Sequence, residues 1–149
     1  MTISVDKIKQ LRQETSVSIS ECQKALEEAK GDLKIAKEIL KKKGIDFAKK
    51  KMSRETKEGL IESYIHPNKK VGAMIELNCE TDFVARSEDF KKLAHELCLQ
   101  ITAINPEEIP VFDQPWIKDE TKTVRELINE YISKLGENIV LSRFIRYEL

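Results

Sequence analysis

The chain has 149 residues, enough for one domain or two small ones. Its 26 Lys and Arg match 26 Asp and Glu, without the basic excess that a strong nucleic-acid binder carries. Apolar residues at 40% and charged residues at 35% give a globular balance, and no run approaches the ~18 apolar residues of a membrane span. The opening MTISVDKIKQ has neither the apolar core of a secretory signal nor the Arg/Ser richness of a transit peptide, which points to a cytoplasmic location. Cys22, Cys79 and Cys98 are far apart, odd in number and free of any Cys-x-x-Cys pair, so reduced, half-buried thiols are expected.

Residues 1–44 read as three short helices. Val5, Ile8 and Leu11 recur at three-residue spacing in the first. Ser18 and Glu21 stand at capping-box spacing before the second, whose stripe is Ile19, Cys22, Leu26 and Ala29, and Gly31 ends it. Asp32 is placed to cap the third, where Leu33, Ala36, Ile39 and Leu40 share a face and Gly44 offers a stop. None of these helices is long enough to stand alone, so their stripes are expected to pack together. Residues 45–58 are rich in Lys and Glu and read as a charged linker with some helical character; Lys49, Lys50 and Lys51 make it locally basic.

The period then changes from helix to strand. GLIESYIH (59–66) reads as a strand, and Pro67-Asn68 followed by two lysines as a turn. In VGAMIELNC, Val71, Ala73, Ile75, Leu77 and Cys79 alternate with Gly72, Met74, Glu76 and Asn78, so the two runs form an antiparallel hairpin with one apolar face. A long helix follows, with Phe90, Leu93, Ala94, Leu97, Cys98, Ile101 and Ile104 on one stripe, stopped at Asn105-Pro106. Residues 106–120 hold three of the four prolines and form an irregular connection, with a short strand expected at Pro115–Ile117. Thr123 and Glu126 open the next helix, whose stripe is Val124, Leu127, Ile128, Tyr131, Ile132 and Leu135 and which Gly136 closes. The last segment, ENIVLSRFIRYEL, is β-branched and aromatic and reads as a strand with apolar residues on both faces, which leaves its register open. The order ααα, linker, ββ, α, (β), α, β indicates an α+β fold: three helices over 1–44, a linker over 45–58, and over 59–149 a three-stranded antiparallel sheet backed by helices.

The sequence carries no phosphate-binding glycine loop, no dinucleotide fingerprint and no nucleophile elbow. No cofactor is implied. His95 and Cys98 stand one helical turn apart, but two ligands fall short of the four a structural zinc takes, so no metal site is expected. The carboxylates lie mostly on polar helix faces beside lysines, as at Glu27, Glu28 and Lys30. Trp116 reads as core or edge packing. The stretch ELNCETDFVARSEDF (76–90) stands apart: at the joint between an apolar strand and a helix, Asp82 is followed by the large ring of Phe83. Either Phe83 folds back as a staple while Asp82 caps a helix, or it protrudes as an aromatic anchor for a partner's pocket.

The run Glu76-Leu77-Asn78-Cys79-Glu80-Thr81-Asp82-Phe83-Val84-Ala85-Arg86 resembles the central signature of the elongation factor Ts family, the guanine-nucleotide exchange factors of the translation GTPase elongation factor Tu. IKQLRQETSVSISECQKALEEAKGDLKIAKEILKKKG resembles that family's amino-terminal module, which is three-helical and ubiquitin-associated-like, and KDETKTVRELINEYISKLGENIVLSRFIRYEL resembles the end of its core. The resemblance runs along nearly the whole chain. It implies a partner, elongation factor Tu, and a mechanism in which Thr81, Asp82, Phe83 and Val84 enter the GTPase and disturb its magnesium and phosphate region, so that GDP leaves. It also places Leu11, Arg12 and Thr15 on the segment with which the amino-terminal module grips the GTPase.

The chain departs from the family pattern at Ser16 and Ser18, where the family usually has glycines, and in lacking the second core subdomain, the helical protrusion and the C-terminal module. A second copy would complete a single-subdomain factor, which makes a homodimer a candidate assembly. Two other functions stay open on the residues alone: a helical adaptor working through residues 1–44, and a weak RNA binder using Lys49–Lys51 and Arg143–Arg146. No membrane partner and no direct nucleic-acid partner is expected.

Overall fold

The computed structural model describes residues 2–15 and 17–149; Ser16, one of the two departures from the family pattern, lies outside the described residues. The chain divides into two compact units, Met1–Lys49 and Lys50–Leu149.

The first unit holds α1 (Val5–Thr15), α2 (Ile19–Glu28) and most of α3 (Leu33–Lys51). Leu11, Cys22, Ala25, Leu26, Ala29, Ala36 and Leu40 form its buried cluster, with Ile8, Val17, Leu33 and Ile39 packed against it. Local chemistry sets the helix ends. The Ser18 hydroxyl accepts from Glu21 N at 3.3 Å and so caps α2, and the Asp32 carboxylate accepts from Lys34 N and Ile35 N at the start of α3. Between them Gly31, at φ +85°, donates back to Leu26 O. The third helix does not stop at Gly44 as the sequence suggested, nor does a linker begin at residue 45: α3 continues to Lys51. An interior glycine costs a helix only about 1 kcal/mol. Half-buried Ile45 and Phe47 and buried Ala48 carry the apolar face beyond it.

The second unit is α+β, as the order of elements indicated. Its sheet has the order β1-β2-β5, with β1 (Glu58–Ile65), β2 (Val71–Cys79) and β5 (Val140–Glu148) all antiparallel. Helix α5 (Glu88–Ala103) packs on β1 and β2, and α6 (Val124–Leu135) packs beside α5. The alternation of β2 puts Ala73, Ile75, Leu77 and Cys79 in the core. Between the two helices lie a 3₁₀ turn (Val111–Asp113) and a small hairpin of β3 (Pro115–Trp116) and β4 (Asp119–Thr123). The all-polar DETKT of β4 gave no strand signal in the sequence.

The register of β5, open from sequence, is resolved by an irregularity. Glu76 faces Arg143, whereas Leu77 faces Leu141, so Ser142 is an extra residue in the ladder. By register Leu141 and, past the bulge, Phe144 lie on the helix-facing side; Leu141 is buried there, whereas Phe144 stays 41% exposed. Arg146 also turns toward the helices, donating from Nε to Ile101 O at 2.9 Å and from Nη2 to Thr102 O at 3.0 Å, which satisfies carbonyls at the end of α5. Arg143 pairs with Glu76 at 2.7 Å. Both arginines of the faint RNA-binding pattern thus have structural partners.

Candidate functional site

Between β2 and α5 the chain makes one helical turn, α4 (Asp82–Ala85). Thr81, in extended conformation, is its N-cap, and its hydroxyl accepts from Val84 N at 3.3 Å. The Ser87 hydroxyl donates to Val84 O at 2.7 Å and accepts from Phe90 N, so it ends one helix while capping the next. The sequence offered Asp82 as the cap and Phe83 as a staple; neither takes that role. Threonine 81 caps, and Asp82 instead pairs with Arg86 at 3.0 Å, with both side chains well exposed.

Within this turn the four residues separate by direction. Val84 and Ala85 are buried beneath it, whereas Phe83 is 81% exposed. A second phenylalanine, Phe90, lies one segment further on and is fully buried. Leaving such a ring in water forgoes roughly 1.5–3 kcal/mol of burial free energy.

The mounting of the turn comes from far along the chain. Glu137 accepts through Oε1 from Glu80 N at 3.1 Å and Thr81 N at 3.0 Å, and through Oε2 from the Thr81 hydroxyl at 2.7 Å. In return Glu80 accepts from Asn138 N at 2.6 Å and faces Arg54 at 3.5 Å. Asn138 donates through Nδ2 to Arg54 O at 2.9 Å. Sequence reasoning missed Glu80, Glu137 and Asn138; the signal available was an acidic residue directly after the helix-closing Gly136. From below, buried Cys79 donates its thiol to Thr81 O at 3.2 Å. Burial first, and then the negative charge of Glu137, push that thiol up to about 11, so it stays protonated at neutral pH.

The candidate contacts of the helical unit are less uniform. Leu11 is fully buried in that unit's core and offers no side-chain surface. Arg12 is exposed. Thr15 is half-buried and donates to Leu11 O at 2.7 Å. Ser18 has the capping duty described above. Among the described residues, no group of three or more His, Cys, Asp or Glu side chains is placed to hold a metal, and no helix is long and apolar enough to cross a membrane.

Residues 80–149 match the family model described as elongation factor TS. The protein named elongation factor Ts of Thermotoga maritima is 42% identical over 193 aligned positions, covering 100% of this chain and 97% of the relative. That of Coprothermobacter proteolyticus is 40% identical over 195 positions, covering 100% and 99%, and that of Thermodesulfovibrio yellowstonii 39% over 194 positions, covering 100% and 97%. The chain belongs to the elongation factor Ts family. It is therefore an elongation factor of protein biosynthesis. The 193 positions aligned with the Thermotoga maritima protein exceed the 149 residues of this chain by 44, so that member of the elongation factor Ts family carries segments that are absent here.

Proposed function

We propose that this chain is a guanine-nucleotide exchange factor that binds the GDP form of elongation factor Tu in the cytoplasm and promotes GDP release, with Phe83 as the inserted group. The observation that carries this reading is the 81% exposure of Phe83 on a one-turn helix whose neighbours Val84 and Ala85 are sunk into the core. A ring in water beside a fixed base gains burial free energy when it enters a partner. The two carboxylate-bearing positions just before it do different work. Glu80 is tied into the mount, while Asp82 is exposed and pairs with the exposed Arg86, free to exchange that partner for groups that hold the magnesium ion and phosphates of the GTPase. Thr81 caps the turn, and Val84 anchors it rather than touching the partner. The residues 1–44 segment acts as a ubiquitin-associated-like gripping module through Arg12 and Thr15, with Leu11 holding that surface from beneath.

Exchange breaks no covalent bond, so the chain works as a binding protein and not as an enzyme. If the chain weakens GDP binding to the GTPase by some factor, GDP weakens the chain's binding to the GTPase by the same factor. Each tenfold effect corresponds to about 1.4 kcal/mol, so burial of one benzyl group accounts for a 10- to 150-fold effect, roughly 1.5–3 kcal/mol. The deciding experiment is stopped-flow release of labelled GDP from elongation factor Tu. Phe83→Ala is expected to lower the maximal release rate about 10- to 150-fold while leaving the melting curve in place. Arg12→Ala is expected to raise the half-saturating concentration without changing the maximal rate. Release that is accelerated equally by wild type and Phe83→Ala would refute the insertion; no acceleration by either would refute the exchange role.

A homodimer is the assembly we propose for this short member of the family. The sheet face turned away from the helices exposes Ile61, Ile65, Met74, Ile145 and Tyr147. The cross-strand Glu76–Arg143 pair on the same face is self-complementary across a two-fold axis. Sedimentation at the concentrations of the exchange assay tests this: a dimer that Met74→Lys converts to monomer is expected, and a wild-type monomer would rule it out.

A further inference from the structure

We infer that Glu137 is the positioning residue of the proposed wedge, holding the turn that presents Phe83 without touching the partner; the inference rests on the insertion reading above. A four-residue helix has too few internal hydrogen bonds to orient itself. Its direction must be set from outside, and the hydrogen bonds of Glu137 all go to the two residues that precede it. The order of the bonds matters. The Thr81 hydroxyl donates its one proton to Glu137 and uses a lone pair to accept from Val84 N. Clamp and cap are thus in series: the carboxylate fixes the rotamer in which the hydroxyl oxygen faces the first turn of α4. Hydrogen bonds to an ionised acceptor are shorter and stronger than neutral ones, which suits a mount that is pulled on when the ring is pushed into a neighbour.

Glu137 is in turn aimed by the chain on either side. Gly136, at φ +76°, is in the left-handed region that closes α6, and it turns the next residue back toward the end of β2. On the far side, Asn138 N binds Glu80 and its side chain holds Arg54 O. Glu137 accepts from Glu80 N and Glu80 accepts from Asn138 N, across 57 and 58 positions of sequence, so the 80–81 and 137–138 segments are tied to each other from both sides.

A mount predicts a split that loss of folding does not. Stopped-flow GDP release from elongation factor Tu, run as a concentration series, separates the maximal rate from the half-saturating concentration. Glu137→Ala is expected to lower the maximal rate about tenfold, the equivalent of roughly 1.4 kcal/mol, with the half-saturating concentration within about twofold of wild type. In the Phe83→Ala background the same substitution is expected to change almost nothing, because the group it positions is gone. Should Glu137→Ala fail to fold, Glu137→Asp decides instead: it keeps the charge, draws the carboxylate out of reach of Thr81, and is expected to lower the maximal rate with the chain folded. A wild-type maximal rate in a folded Glu137→Ala or Glu137→Asp chain, with Phe83→Ala slow, overturns this inference alone. Effects of Glu137→Ala and Phe83→Ala that multiply also overturn it. Phe83→Ala with full activity overturns the insertion reading, and the inference with it.

Discussion

The two units bury apolar surface in different ways. In Met1–Lys49 the buried cluster contains three leucines, three alanines and one cysteine. In Lys50–Leu149 the core holds Phe90, Ile75, Leu77, Leu93, Leu97, Ile101 and Val124 as fully or almost fully buried side chains, between a sheet and two helices. The first unit brings helices close together through small residues and so has little redundancy. The second has enough buried volume to hold an exposed phenylalanine on a fixed mount. On the proposed reading, the inserted surface sits on the second kind of unit and the gripping surface on the first.

The sharpest way to break this comparison is to remove one large core side chain from each unit. At roughly 0.05–0.15 kcal/mol per residue, a 49-residue unit has only about 2.5–7 kcal/mol of net stability. Leu26→Ala costs about 2–5 kcal/mol and is expected to unfold the helical unit largely or entirely. Trp116 is the single tryptophan and lies in the second unit, so the loss is expected in far-UV circular dichroism with tryptophan fluorescence unchanged. Phe90→Ala removes about 3–5 kcal/mol from a unit twice the size and is expected to lower its denaturation midpoint, read by Trp116, while leaving it folded. A Leu26→Ala chain that keeps all its helix signal would show that the two cores are not so unequal.

Legibility from sequence followed the range of the interaction. Capping boxes were readable because their partners are three residues apart: Ser18 with Glu21 N, and Thr123 with Glu126 N, are hydrogen-bonded as the spacing implied. The β1–β2 hairpin was readable because period-two alternation fixes which residues face inward. The end of α3 was misread because Gly44 looked like a stop, and a glycine marks a C-terminus only when the chain actually takes a positive φ there, as at Gly31 and Gly136 but not Gly44. At the candidate site, the presence of Phe83 was legible and its surroundings were not. Its turn is held by Glu137, more than fifty positions away, whose hydrogen bonds to Glu80 and Thr81 no local spacing announces. Leu11 was legible as an apolar position on a stripe, and that periodicity was the better guide: it is core.

A smaller effect sharpens the comparison from the opposite side, by making the larger unit the more sensitive one. Burial raises the thiol of Cys98 to about 12 and that of Cys79 to about 11, from an ordinary 9.0, with Glu62 and Glu137 adding to the respective shifts; Cys22 of the helical unit is raised too, mainly by its burial. The burial of Tyr131, helped by Asp89, works in the same direction in the second unit. Above the ordinary thiol value the unfolded chain gives up these protons while the folded chain keeps them. The folded state then binds more protons, so stability falls as pH rises, beginning near 9.0 and continuing to about 11 for Cys79 and about 12 for Cys98. The Trp116-detected denaturation midpoint is therefore expected to drop more steeply between about pH 9 and pH 11 than the helix signal of the first unit, and Cys79→Ala combined with Cys98→Ala is expected to flatten that drop. Equal slopes for the two signals would mean that the thiols in both units are buried to the same effect, and that the second unit's core is no drier than the first's.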